Sequence, residues 1–181
     1  MSRKYKFSDQ DKLYFITFTV IEWIDVFTRI IYKDIVLDSW KHCQKEKDLE
    51  IYGWVIMTNH IHMIVGTQGR PLDKIIGEMK SYTSRMLRKA LQNNPRESRK
   101  KWIIEMMRNA GIQNGNNKDW QLWQQHNHPL QIFSEAMFHQ KLQYIHDNPV
   151  VAGFVEFEED YLYSSARDFH GKKGLIELCY I

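Results

Sequence analysis

Two apolar runs separated by only two polar residues constrain this chain more than any other feature. Ile51-Tyr52-Gly53-Trp54-Val55-Ile56-Met57 and His60-Ile61-His62-Met63-Ile64-Val65 flank Thr58-Asn59. Both runs are rich in β-branched and aromatic residues, so each predicts a strand, and a two-residue connection makes the pair an antiparallel hairpin. Side chains alternate faces along a strand. His60 and His62 therefore share one face at the start of the second strand, while Ile61 points into the core. Two imidazoles on one face suit a divalent metal or a phosphate and are poor core material. Taken alone, the pair also reads as hydrogen-bonding surface or turn residues.

The rest of the chain supplies a frame for that hairpin. Residues 14–20, Tyr-Phe-Ile-Thr-Phe-Thr-Val, read as a central strand. A helix is predicted over 33–48, with Ile35, Val36, Trp40 and Cys43 as its apolar stripe. Another is predicted over 72–91, where Leu72, Ile75, Ile76, Met79, Met86, Leu87, Ala90 and Leu91 recur at helical spacing. Asn93-Asn94-Pro95 stops it. Residues 96–119 are basic and then loose, with Asn109, Gly111, Asn114, Gly115, Asn116 and Asn117 predicting a loop insertion around 109–119. The alternation of Trp120-Gln121-Leu122-Trp123-Gln124 suggests an edge-like fourth strand. Ser134 can cap a helix from 135 to 148, and Pro149 ends it by driving Asn148 out of helical geometry. A short strand is expected at 154–157, and a C-terminal tail begins near 158. The order β-α-β-β-α-β-α, with two helices against one sheet face, fits a single α+β domain over residues 1–181, a ferredoxin-like antiparallel sandwich.

Charge is concentrated rather than large. The formal net charge is +3, yet nine Lys and Arg lie between Lys74 and Lys101 against Glu78 and Glu97, so that span carries +7 and the remainder −4. Such a stripe suits a phosphate backbone, and it is equally the solvated face of a helix. Cys43 and Cys179 have neither metal-site nor redox spacing. No apolar run is long enough to span a membrane, and the basic start, residues 1–6, is not followed by an apolar signal segment. The cytoplasm is the expected compartment.

A second constellation lies in the predicted helix before Pro149. Tyr144 and Asn148, four residues apart, share a helix face. Tyr144 offers a phenolic nucleophile and Asn148 an amide that can ligate or donate. Each also has a plain reading, as a packing tyrosine and as a helix terminator before proline. His146 and Asp147 are expected to face partly outward, with His146 able to touch phosphate. His126 and His128 repeat the two-residue spacing, but Asn127-His128-Pro129 reads better as loop. An ion held by His60 and His62 would be Mn²⁺, or Mg²⁺ with water and phosphate completing its shell.

Three blocks in order then carry a resemblance. Trp54-Val55-Ile56-Met57-Thr58-Asn59-His60-Ile61-His62, Tyr144-Ile145-His146-Asp147-Asn148-Pro149-Val150-Val151-Ala152-Gly153-Phe154-Val155 and Asp160-Tyr161-Leu162-Tyr163-Ser164-Ser165 resemble the single-tyrosine HUH transposases of the IS200-like superfamily, and most of all their REP-associated branch. Thr58 departs from the proline often found in relatives, which changes turn stiffness and no ligand.

The resemblance implies a fold with the nucleophile helix beside the sheet and a site in which His60, His62 and Asn148 hold a divalent metal, Mg²⁺ or Mn²⁺. Tyr144 matches the nucleophile, and His146 and Asn59 are accessory candidates. Tyr161 and Tyr163 fall outside the matching position and are expected to pack the tail. The implied reaction is cleavage and rejoining of single-stranded DNA, beside a hairpin, through a 5′-phosphotyrosine. Lys80, Arg85, Arg88, Lys89, Arg96, Lys100 and Lys101 are the candidate DNA-backbone contacts. The implied setting is a bacterial cytoplasm, on nucleoid DNA, as a monomer or a homodimer. Two alternatives stay open: a domesticated hairpin-binding protein without strand transfer, and a metal-dependent phosphodiesterase that uses water.

Overall fold

The computed structural model describes residues 7, 9–115, 117–125 and 129–181. The basic start, Asn116, His126 and His128 lie outside the described residues.

A four-stranded antiparallel sheet of order β2-β3-β1-β4 organises the chain, formed by β1 (Tyr14–Thr19), β2 (Leu49–Ile56), β3 (His60–Thr67) and β4 (Leu130–Gln131). This is the ferredoxin-like order, in which β3 returns between β1 and β2. The hairpin forms as the sequence predicts. Its Thr58-Asn59 turn is held by its neighbours, since Phe27 N–H donates to the Thr58 carbonyl and Val20 N–H to that of Asn59.

One sheet face carries Ile16, Phe18, Trp54, Ile56, Ile61 and Met63 against α1 (Ile30–Lys47) and α2 (Leu72–Asn93). The other carries Tyr52, Val55 and Ile64 against Phe138, Leu142 and Ile145 of α4 (Glu135–Val151). Strand alternation thus divides the protein into two layers of core, with the β3 histidines turned toward α4.

Four local expectations are corrected. The expected loop over 109–119 gives way, up to Gln113, to a helix, α3 (Lys100–Gln113). Ile103 and Met107 are buried on it. Gly111 does not break the helix. It lets the 117–124 segment pass, because a Cβ there would collide with the backbone of Trp120. Residues 120–124 form no ladder strand. Trp123 bridges Val20 once, and β4 follows later on the same edge of β1. No strand forms at 154–157.

The fourth correction concerns Pro149, which lies inside α4 rather than ending it. In the last turn its missing N–H removes one helical bond only. The helix stops in a Schellman arrangement, with Gly153 at φ 72°, Phe154 N–H on the Pro149 carbonyl and Gly153 N–H on that of Val150, both 2.9 Å. At the other end Ser134 caps as expected, accepting from Met137 N–H. The tail then covers the β2 edge: Tyr163 O accepts from Ile56 N–H, and Ser165 meets the Trp54 backbone through both its main chain and its Oγ.

Candidate active site

His60 and His62 stand on β3 opposite Thr19 and Thr17 of β1. Their ring centroids are 4.9 Å apart. Each ring is held through Nδ1. For His60 the partner is Asn59 Oδ1 at 2.7 Å. The Asn59 amide nitrogen donates to Asp25 Oδ1 at 3.0 Å and to the Trp23 carbonyl at 3.3 Å. Its oxygen is therefore an acceptor, His60 donates from Nδ1, and His60 Nε2 keeps its lone pair. For His62 the partner is Thr17 Oγ1 at 2.8 Å, and the ring stacks on Phe15 at 5.3 Å.

Burial pushes the His62 pKa down to about 3, with His60 and Lys141 adding to the effect. His60 is also lowered by burial, against an opposing hydrogen bond with the Asn148 side chain. Both rings are neutral at pH 7, the state a metal requires of imidazole.

α4 brings the second constellation over these rings. Tyr144, half exposed at 49%, meets His62 edge-on at 5.2 Å and Phe15 at 5.9 Å. Asn148, one turn on, donates its amide N–H to the Tyr144 carbonyl at 2.6 Å, and its side chain also reaches His60. Lys141, one turn before, holds its ammonium 5.8 Å from the Tyr144 ring centroid and 5.2 Å from that of Phe15. Lys141, Tyr144 and Asn148 thus line one face of the helix.

The donor chemistry fits a divalent ion. Two neutral imidazoles with Nδ1 engaged, and a carboxamide beside one of them, could form a small nitrogen and oxygen set that leaves half of an octahedron open. Among the described residues no three His, Cys, Asp or Glu converge on one point.

His146 corrects its expectation. It is buried, with Nε2 2.9 Å from Ser165 Oγ, and burial holds its pKa near 4, so it faces the tail rather than a phosphate. Tyr161 and Tyr163 pack as expected. Tyr161 donates to the Ile56 carbonyl, and its pKa is pushed up to about 12 by burial.

The seven basic candidates divide. Six lie on α2 or α3 and Arg96 lies in the connection between them, and α2 and α3 pack across the sheet from the histidines. Lys80 sits half-buried over Phe18, donates to the Gln124 carbonyl and has its pKa lowered to about 8 by burial. Arg88 grips Asp119 with two hydrogen bonds, of 2.7 and 3.0 Å, and Lys100 donates to the Gln92 carbonyl. Arg85, Lys89, Arg96 and Lys101 are exposed. The basic surface and the histidine pair are separate places.

Thr17, Trp23, Asp25 and Lys141 are the site neighbours the sequence reading did not name. Only Lys141 had a local signal, its position three residues before Tyr144; the others need the β1–β3 register and the path of residues 20–27.

The sequence and the fold both match known proteins. The profile of the family described as "Transposase IS200 like" matches residues 11–105. A structure of a REP-associated tyrosine transposase bound to a REP hairpin superposes with TM-score 0.66 at 16% identity, covering 100% of this chain and 95% of that one. A candidate transposase from Deinococcus radiodurans R1 gives TM-score 0.44 at 18% identity, over 80% of this chain and 95% of that one. No curated protein matches.

Proposed function

The chain belongs to the IS200-like transposase family, and from that premise we propose that it cuts and rejoins single-stranded DNA with Tyr144 as nucleophile. The observation that carries this reading is the contact of an exposed tyrosine with a neutral, buried histidine: Tyr144 lies edge-on to His62, with Asn148 beside His60.

His60, His62 and Asn148 would hold Mg²⁺ or Mn²⁺, which when bound polarises a phosphodiester and stabilises its developing charge. The chain's own residues do the rest. Tyr144 Oη attacks phosphorus and gives its proton to water at the exposed ring edge. The bond to the 3′ oxygen breaks, that oxygen takes up a proton, and the 5′ phosphate stays on tyrosine. A second 3′-hydroxyl reverses the exchange, joining strands without external energy because one phosphodiester replaces another. The Lys141 ammonium stabilises negative charge on the phenolic oxygen and the phosphate. Phe15 and Thr17 fix His62, and Asn59 fixes His60, so the rings need no reorganisation.

The exposed cations of α2 and α3 suit DNA away from the cut, such as the backbone of an adjacent hairpin. Reversing Arg85 and Lys89 together should reduce affinity and flatten its salt dependence without altering the rate of bound complexes.

Incubation with labelled single-stranded DNA and Mn²⁺ tests the central step. A covalent adduct that survives denaturation and vanishes in Tyr144→Phe is expected. Cleavage without an adduct would instead identify a hydrolase that uses water, and binding alone a non-enzymatic module.

A further inference from the structure

Residues 22 and 23 hold a conformation that their side chains do not favour. Glu22 has φ 51° and Trp23 φ 52°, two consecutive L-residues in the left-handed region. Glycine is the usual occupant there, and each such residue carries strain. Strain of this kind persists where the surroundings enforce it. Here Ile21 and Ile24 are buried on either side, and the Asn59 amide donates to the Trp23 carbonyl.

The strain does not bury the Trp23 ring. Trp23 is 59% exposed, although a tryptophan ordinarily contributes by burying its large ring. What the loop does is present the indole beside the histidine pair. The Trp23 ring meets His60 edge-on, with centroids 6.0 Å apart, leaving the indole open to solvent. Asn59 touches the Trp23 carbonyl and His60 Nδ1, so one side chain sets both rings. A flat, exposed aromatic ring held rigidly next to a phosphate site is what single-strand binding proteins use to stack an unpaired base.

We propose that Trp23 is a stacking platform for an unpaired nucleobase adjoining the phosphate held at His60, an inference that rests on the DNA-processing reading above. The platform favours single-stranded over duplex DNA, because a base paired inside a helix has no free face to offer. It also sets the direction in which the strand leaves the site, past β1 and the 20–27 turn rather than along α4.

The test uses the full chain without divalent metal, so that no cleavage occurs, and an oligo-dT strand as the probe. The chain has six tryptophans, so Trp23 emission is taken as the difference between wild type and Trp23→Phe. Quenching of that difference on adding single strand is expected. Trp23→Ala should lose roughly 5- to 150-fold in single-strand affinity, the range one stacked base supplies, while Trp23→Phe retains most of it and duplex binding is unchanged. Trp23→Gly relieves the strain and should melt no lower than wild type while binding single strand as weakly as Trp23→Ala. Unchanged affinity in Trp23→Ala overturns the proposal. A drop in melting temperature in Trp23→Gly also overturns it, since Trp23 would then be a prop for His60. Adduct formation by the wild type is scored separately. An adduct with normal binding by Trp23→Ala sinks the platform alone, and quenching without any adduct sinks the nucleophile alone.

Discussion

Thr17 Oγ1 lies 2.8 Å from His62 Nδ1, directly across the pairing of β1 with β3. The hydroxyl fixes the ring's orientation and leaves Nε2 to face the site. Thr17→Val keeps the shape and removes that contact. The fold should survive, and affinity for Mn²⁺ should fall about 10- to 100-fold, the usual cost of losing a group that orients a ligating histidine. Calorimetric titration with Mn²⁺ measures it; affinity within twofold of wild type would remove Thr17 from any positioning role.

The Lys141 ammonium lies 5.8 Å from the Tyr144 ring centroid, and it is also near enough to His62 to depress that ring's pKa. Lys141→Met should slow adduct formation by roughly 10- to 100-fold, because negative charge on the phenolic oxygen and phosphate loses a nearby positive partner. Lys141→Arg should recover a good part of the rate. Single-turnover adduct formation at saturating DNA separates this from weaker binding. A change confined to affinity would make Lys141 a DNA contact only.

The hairpin, the histidine face and the capped start of α4 were legible because each is set within a few residues. Alternation settles which way His60 and His62 point, and Ser134 marks a helix start wherever it lies. What failed was local punctuation overruled by distant partners. Gly111 and Asn109 look like loop residues, yet Ile103 and Met107 anchor a helix whose glycine admits the backbone of Trp120. Pro149 looks like a stop, yet the stop is Gly153. His146 looked outward until Ser165, nineteen residues on, claimed its ring. The basic residues from Lys74 to Lys89 were correctly placed on a helix, but their separation from the histidines depends on which sheet face each layer covers.

Gly111 gives a direct test of the helix the sequence concealed. Gly111→Ala ordinarily stabilises a helix by up to about 1 kcal/mol. Here the methyl must displace the Trp120 main chain and disturb the bond from Gln121 N–H to the Met107 carbonyl. The net effect should be destabilisation by about 1–3 kcal/mol, the usual cost of overpacking. Chemical denaturation measures it, and a more stable variant would show that the segment yields easily.

Glu97 links stability to pH in a defined direction. Its side chain is fully buried among Arg29, Arg99 and Tyr32, and Arg99 also donates to the Asp25 carbonyl in the turn that holds Asn59. Burial alone would raise its pKa, but hydrogen bonds from Arg99 and Arg29 prevail and set it at about 2, against 4.5 for an ordinary glutamate. A carboxylate whose folded pKa is depressed stabilises fully above its unfolded pKa and loses that contribution as pH falls through the folded value. Wild type should therefore lose on the order of 3 kcal/mol from this group between pH 5 and pH 2. Glu97→Gln removes the charge at every pH, replaces one acceptor oxygen by an NH₂ and leaves two arginines without their anionic partner, so at pH 7 it should be less stable by a similar amount. The difference between the two stability curves isolates Glu97 from the other carboxylates. It should shrink steadily below pH 4.5, and a difference that stays constant from pH 7 to pH 3 would mean the carboxylate is not held ionised by its arginines.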